Sequence, residues 1–164
     1  MNNAVGPAIV IFDLDDTLSD TDHRQGVLEM PMKDIPKHMS RFDCMESLCA
    51  FDPPITAMVA KCIEHIERGD DVRFWSGRGE RQRLATIRWL SDYLQQPQDY
   101  FTEVRLRMRP VADYRASHVL KFDFFRQLQP GEAERIAMFY DDSEDNIEMW
   151  NQMGFKEKTT LVKK

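Results

Sequence analysis

Cysteine is scarce in this sequence, and long apolar runs are absent. The only cysteines are Cys44, Cys49 and Cys62, and they form neither a CxxC pair nor part of a histidine cluster at zinc-ligand spacing. We therefore expect reduced, mostly buried thiols. No apolar stretch approaches the roughly 20 residues that cross a bilayer, and Met1 to Pro7 lacks the basic start and apolar core of a signal peptide. These absences predict a soluble, cytoplasmic protein.

The composition supplies enough apolar side chain for one core. The 164 residues are 42% hydrophobic and 30% charged, which excludes collagen-like, low-complexity and intrinsically disordered chains. This length suits a single domain, so we predict one domain over 1–164. A net charge of -6 argues against a protein that coats nucleic acid indiscriminately, although a local basic site remains compatible with it.

Short β-branched runs alternate with amphipathic stretches of helical length, a pattern typical of a parallel sheet covered by helices. We therefore predict an α/β fold, a Rossmann-like three-layer parallel sheet. Residues 19–52 differ in composition and are too many for a tight connection, so we predict a small cap-like insertion that shapes an active site. The predicted strands are 8–12, 71–75, 103–108, 136–140 and 159–162, and the predicted helices are 54–68, 80–95, 117–129 and 143–153.

Two groups of acidic residues directly follow predicted buried strands. Asp13, Asp15 and Asp16 come after the first strand, and Asp141 and Asp142 come after the fourth. Each group taken alone is also typical of a solvated turn. Because both groups fall at the same edge of one parallel sheet, their carboxylates would repel each other without a cation. Carboxylate oxygens suit a hard ion, so the pattern predicts a Mg²⁺ site.

Polar residues at the matching ends of neighbouring elements suggest a phosphate site. Ser76, Gly77 and Arg78 follow the second predicted strand, and Lys121 lies on the helix before the fourth. A hydroxyl and free backbone N–H groups at a strand-to-helix turn bind phosphate oxygens, and a lysine neutralises them. Each feature alone is typical of an ordinary turn or a surface lysine. Their joint occurrence, in this order, favours the functional interpretation.

The order of these motifs resembles the haloacid dehalogenase phosphatase superfamily over nearly the whole chain. Within that superfamily, residues 109–121 and 140–150 are similar to the 3′-phosphatase domain of bacteriophage polynucleotide kinase-phosphatases. The resemblance implies a haloacid-dehalogenase-like fold and a Mg²⁺-dependent phosphomonoesterase that forms a phospho-aspartate, with a nucleic-acid 3′-phosphate end as substrate. The motifs that carry it are Asp13-x-Asp15-x-Thr17, Ser76-Gly77-Arg78, Lys121 and Asp141-Asp142.

The same resemblance implies a role for each matching residue. Asp13 would be the nucleophile, and Asp15 would protonate the leaving group and later activate water. Ser76 and Lys121 would bind the phosphoryl oxygens. The metal ligands would be Asp13, Asp142 and the backbone carbonyl of Asp15, with Asp141 close beside. The substrate phosphate would also be contacted by Thr17, Gly77 and Arg78.

Three features depart from the phage-enzyme pattern, one of which is the longer insertion after Thr17. No GxxxxGK[ST] motif occurs, so we expect no ATP-binding kinase half, and Ser117 stands where an acidic residue often precedes the lysine of the family. The alternating arginines of the third strand could form a cationic stripe for an oligonucleotide backbone, although a solvated strand edge explains the same pattern. The candidates for substrate binding are Arg107, Arg109 and Arg115.

Two other functions stay open from the sequence. A phosphatase of free nucleotides would use the same residues, with the insertion closing over a small substrate. A non-catalytic, phospho-accepting receiver module would also combine acidic residues with a lysine. Asp15 argues against the receiver, because such a module needs no general acid two residues after its acceptor.

Overall fold

Five parallel strands form the centre of the structure, a computed structural model that describes residues 6–164. The segment 1–7, for which no signal peptide is predicted, lies mostly outside the described residues. The strands are β1 Ile9–Phe12, β2 Asp71–Gly79, β3 Leu106–Arg109, β4 Ile136–Asp141 and β5 Thr159–Leu161. Their order in the sheet is β3-β2-β1-β4-β5, and every pairing is parallel.

Helices connect the strands, and the shortest of them lie in the segment between β1 and the first long helix. The α-helices are α1 Asp22–Gln25, α2 Arg41–Ser47, α3 Thr56–Glu67, α4 Arg83–Leu94, α5 Ser117–Arg126, α6 Glu132–Arg135 and α7 Glu144–Trp150. Short 3₁₀ turns cover Gly26–Glu29, Met32–Asp34, Cys49–Phe51, Glu80–Gln82, Gln98–Tyr100 and Lys156–Lys158. Within residues 6–164, no helix is both long and apolar enough to span a membrane.

The core lies on both faces of the sheet. Side chains alternate between the two faces of a strand, so β1 sends Val10 and Phe12 to one side and Ile9 and Ile11 to the other. The first pair packs with α3 and α4, and the second packs with α5 and α7. The α/β prediction with three layers is therefore confirmed.

Helix α4 buries one stripe of side chains at four-residue spacing. Thr86, Leu90 and Leu94 form this stripe. Leu84 lies two residues before the first of them and is 71% exposed. The indole of Trp89 is buried and donates a hydrogen bond to the backbone oxygen of Asp52, at 2.8 Å. This contact ties the insertion to the α4 layer.

Two strand boundaries also differ from the prediction. The third strand begins at Leu106, because the backbone N–H of Leu106 closes a turn onto Thr102, at 2.8 Å. The second strand continues to Gly79, so Ser76 to Arg78 belong to the strand and not to a turn after it. Gly69 has a φ of 83° after α3, the left-handed conformation that ends a helix.

Candidate active site

The parallel pairing of β1 and β4 brings the two acidic groups together. Phe12 is in register with Tyr140, and the N–H of Asp13 donates to the oxygen of Tyr140 at 2.9 Å. The next residues of each strand therefore meet at the carboxyl edge of the sheet. Asp13, Asp141 and Asp142 each offer an oxygen, and these atoms all lie within 4.8 Å of one another.

Lys121 joins two of these carboxylates from α5. Its side chain is buried, and Nζ donates to Asp13 Oδ1 and to Asp141 Oδ2, each at 2.6 Å. Burial alone would lower the pKa of Lys121, but the charges of Asp13 and Asp141 outweigh it and raise the pKa above its ordinary value. The lysine is therefore a permanent ammonium at the site.

Three carboxylates share this one ammonium, which leaves an excess of two negative charges. Burial raises the pKa of Asp13 well above its usual range, and Asp141 and Asp142 raise it further against the pull of Lys121. Burial together with Asp141 raises the pKa of Asp142 to about 6. A divalent cation would neutralise the excess, and an all-oxygen donor set is the type that Mg²⁺ prefers. These residues therefore fit the metal.

Asp141 and Asp142 have different surroundings. Both oxygens of Asp141 are engaged within the protein: Oδ1 accepts from the side chain of Asn146 at 2.9 Å and from the backbone of Ser143 at 3.1 Å, and Oδ2 accepts from Lys121. Asp142 accepts only a long hydrogen bond from the Thr17 hydroxyl, at 3.4 Å, among the hydrogen bonds of the described residues. Asp142 is the more available metal ligand, and Asp141 orients the lysine.

The Asp15 carboxylate points away from this acidic cluster. Its Oδ1 accepts from Arg24 at 2.6 Å and from Arg78. Burial alone would raise the pKa of Asp15, but Arg78 and Arg24 outweigh it and lower the pKa below its ordinary value. The side chain is therefore ionised in this arrangement, and both arginines hold it through the same oxygen, Oδ1.

Three buried charged side chains, Arg24, Arg78 and Asp52, surround Asp15. Asp52, from the end of the insertion, accepts from Arg24 Nε and Nη2, both at 2.8 Å, and from Arg78 at 3.2 Å. Arg24 and Asp52 were missed by the sequence analysis. They lie 28 residues apart on short irregular segments, and no motif or periodicity connects them. The group ties the insertion to the segment that carries Asp13 and Asp15.

Ser76 and Gly77 lie beside the site on the last part of β2. Ser76 is fully buried, and its hydroxyl accepts from the N–H of Arg78 at 3.0 Å. A β-carbon at Gly77 would lie 3.4 Å from Arg109 Nη2 and 3.7 Å from Ser117 Oγ, so the backbone is closely surrounded here.

The three candidate arginines of the stripe have separate internal partners. Arg107 donates to the oxygen of Phe124 at 3.2 Å, near the far end of α5, so the structure does not bring it to the acidic cluster. Arg109 donates to the oxygens of Gly77 and Arg115, at 2.8 and 2.6 Å, and holds the loop after β3 against β2. Arg115 pairs with Asp113 and with Asp123. Within the part of the chain that the structure describes, the guanidinium of each of these three arginines contacts at least one other group of the protein.

A second acidic group lies next to the site and is occupied by a lysine. Lys164 Nζ contacts Asp16, Asp20 and Asp22, at 2.5, 2.6 and 2.8 Å. No sequence motif includes Lys164. Because Asp16, Asp20 and Asp22 are more exposed than Asp13, Asp141 and Asp142, water screens their repulsion better, and the acidic cluster around Asp13 is the better metal site.

Comparison with known protein families agrees with this geometry. Residues 7–158 match the family described as the polynucleotide kinase PNKP phosphatase domain. The chain belongs to this family. Membership makes it a haloacid-dehalogenase-type phosphatase domain, a phosphomonoester hydrolase, and the receiver alternative is excluded. The search of curated protein sequences found no match.

Solved structures share the fold at low sequence identity. Two structures of the Pnkp1/Rnl/Hen1 complex, one titled an RNA repair complex, match with TM-scores of 0.66 and 0.67 at 24% and 22% identity. They cover 95% and 96% of this chain, which spans only 42% and 47% of the matched chains. The class C acid phosphatase from Bacillus anthracis matches with a TM-score of 0.59 at 18% identity, over 95% of this chain and 65% of the other.

Proposed function

We propose that the protein is a Mg²⁺-dependent polynucleotide 3′-phosphatase that works through a phospho-aspartate on Asp13. The observation that carries the proposal is the buried contact of Asp13 with Lys121, at 2.6 Å, beside Asp141 and Asp142 in a chain of the PNKP phosphatase family. A carboxylate held by a buried ammonium is positioned as a nucleophile, and the ammonium is placed to receive an anionic phosphoryl group.

The chemistry proceeds in two displacements at phosphorus. In the first, a carboxylate oxygen of Asp13 bonds to phosphorus, the bond from phosphorus to the 3′-oxygen breaks, and a proton from Asp15 neutralises the leaving alkoxide. In the second, water attacks the phospho-aspartate, Asp15 takes the proton of the water, and the bond to Asp13 breaks. Lys121 and Ser76 bind the phosphoryl oxygens in both steps.

Asp15 must change partners for these two roles. As a base it must be ionised, and the contacts with Arg24 and Arg78 favour that state. As an acid it must carry a proton, which those guanidiniums oppose. Because both proton transfers take place at the phosphoryl group, we propose that Asp15 rotates toward the substrate in both steps, and that it carries the proton it takes from water into the next first step. Arg78, and Thr17 beside Asp142, would then contact the phosphate.

The metal would be held by Asp13, by Asp142 and by the backbone carbonyl of Asp15, with Asp141 close beside. Bound Mg²⁺ would screen the repulsion between the anionic nucleophile and the anionic phosphate. We expect Ca²⁺ to support less activity, because its looser coordination permits both oxygens of a carboxylate to bind. Full activity after exhaustive chelation would contradict the metal assignment.

We also propose that residues 19–52 form the small cap of a single domain. Arg24 and Asp52 support this proposal, since both lie in that segment and surround Asp15. The cytoplasmic location remains a prediction from the sequence.

The test compares phosphate release from three substrates in the presence of Mg²⁺: a 3′-phosphorylated oligonucleotide, its 5′-phosphorylated isomer, and a nucleoside 3′-monophosphate. We expect the first to have the highest kcat/KM. Asp13→Asn should abolish release, and Asp92→Asn, which changes an exposed acid of α4, is the matched control. A preference for the mononucleotide would favour the free-nucleotide phosphatase, and a preference for the 5′-phosphate would refute the assignment.

A further inference from the structure

Residues 30–41, here called the outer loop, form a loop within the insertion. The two ends of this loop are in contact with each other. Arg41 Nε donates to the backbone oxygen of Met30 at 3.0 Å, which closes the loop. Ile35 is 4% exposed and anchors the middle of the loop to the protein. Lys33 and Lys37 are both exposed. The loop is therefore attached at its ends and its centre, and it presents its lysines outward.

The outer loop is basic on an acidic protein. It contains three basic residues, Lys33, Lys37 and Arg41, against one acidic residue, Asp34, whereas the whole chain carries -6. Among the described residues, neither Lys33 nor Lys37 has an ion pair or a side-chain hydrogen bond. This differs from Arg109 and its neighbours on the sheet, whose guanidiniums are engaged internally. Exposed lysines without an ion pair are thus found on the insertion, whereas the guanidiniums of β3 are held by internal hydrogen bonds.

Both flanks of the outer loop reach the site. Before it, Arg24 contacts Asp15 at 2.6 Å. After it, Glu46 accepts from the N–H of Gly79 at 3.0 Å, one residue beyond Arg78. A β-carbon on Gly79 would lie 2.8 Å from the Glu46 carboxylate, so α2 sits directly against the end of β2. The two flanks of the loop are thus held at the carboxyl edge of the sheet, where the acidic cluster lies.

We propose that Lys33 and Lys37 bind the sugar-phosphate backbone of the nucleic-acid strand whose 3′-phosphate enters the site. This proposal rests on the proposed function. Charge complementarity supports it, because unpaired lysines are the groups that release counterions from a phosphate backbone. Phe42, which follows the loop and is 65% exposed, offers an aromatic face on which a base of the same strand stacks.

The test uses Lys33→Gln/Lys37→Gln and a control with the same change in net charge, Arg126→Gln/Lys156→Gln. The control residues are exposed and precede β4 and β5, at the opposite edge of the sheet. We expect the loop variant to raise KM for a ten-nucleotide 3′-phosphorylated strand at unchanged kcat. Its kinetics on a nucleoside 3′-monophosphate should match those of the wild type, and the control should leave both substrates unaffected.

Binding is measured separately, by anisotropy of the 5′-labelled strand in an Asp13→Asn background that prevents turnover. Each lost phosphate contact removes roughly 0.7 from the slope of log affinity against log salt, so the loop variant should lose about 1.4. An unchanged slope, or equal losses on strand and mononucleotide, would overturn the proposal. If the wild type releases phosphate from neither 3′-phosphorylated substrate, the proposed function fails instead, and the two failures are distinguishable.

Discussion

Replacing Arg24 by methionine should destabilise the protein by about 3 kcal/mol. The side chain is fully buried, and it contacts Asp15 at 2.6 Å and both oxygens of Asp52 at 2.8 Å. Removing one partner of a buried ion pair typically costs about 3–5 kcal/mol, because an uncompensated charge remains. Here Arg78 still lies 3.2 Å from Asp52, and His23 lies at 2.9 Å. These contacts compensate in part, so we take the lower end of the range.

The assay is urea or thermal unfolding of the purified protein. For a chain of this size, 1 kcal/mol corresponds to about 2–4 °C in Tm, so Arg24→Met should lower Tm by roughly 6–12 °C. Arg68→Met is the control: that side chain is 64% exposed in its pair with Asp70, and exposed pairs contribute about 1 kcal/mol or less. A loss below about 1 kcal/mol for Arg24→Met, equal to the control, would refute the buried-cluster argument.

The same variant tests whether the insertion acts on Asp15. Without Arg24, Asp15 loses one of its two guanidinium contacts, while the cluster around Lys121 is untouched. We expect kcat to fall and its pH dependence to move when activity is measured well below the Tm of the variant. If kcat and its pH profile match those of the wild type, Arg24 has only a structural role.

Three further predictions concern single carboxylates. Asp13→Asn should lower kcat by more than about 10²-fold with cooperative unfolding retained, as measured by phosphate release and urea denaturation. Asp142→Asn should stabilise the metal-free protein by about 1–2 kcal/mol at pH 7.5, allowing for solvent screening. It should also remove the stabilisation by Mg²⁺. A destabilised variant would contradict the repulsion between Asp142 and the neighbouring carboxylates. Hydrogen bonds from Arg115 lower the pKa of Asp113 to about 2. The contribution of Asp113 to stability is therefore present above about pH 3.9 and is lost as the pH falls toward 2. In Arg115→Gln, NMR titration should show that the pKa of Asp113 returns upward.

The meeting of Asp13, Asp141 and Lys121 could be predicted from sequence because it follows from topology. Apolar runs of strand length identify buried parallel strands, and residues that directly follow such strands must lie at one edge of the sheet. Where two such strands are neighbours, the acidic groups that follow them come together. No other sequence feature is needed to predict this meeting. Gly69 was similarly predictable, since a helix end that requires a positive φ selects glycine.

The direction of the arginine side chains was not predictable in the same way. Alternation along β3 correctly implies that Arg107 and Arg109 share a face, but it does not tell which neighbour covers that face. In the structure the neighbour is α5 with the loop before it, whose carbonyl oxygens accept from both guanidiniums. The free lysines lie instead on a segment without periodicity, where a pattern predicts neither structure nor exposure.

The charges of the site divide into two parts with different functions. Around Asp15, two arginines face two aspartates, so that part is electrically balanced and holds the insertion in place. Around Asp13, one lysine faces three aspartates, and the excess negative charge would repel a phosphate. Within one crevice, the charged group that holds the insertion in place is thus separate from the group whose excess negative charge requires a cation. Because Asp13 and Asp15 are two residues apart on one segment, the balanced part fixes the position of the part that would bind the cation and react in the proposed mechanism.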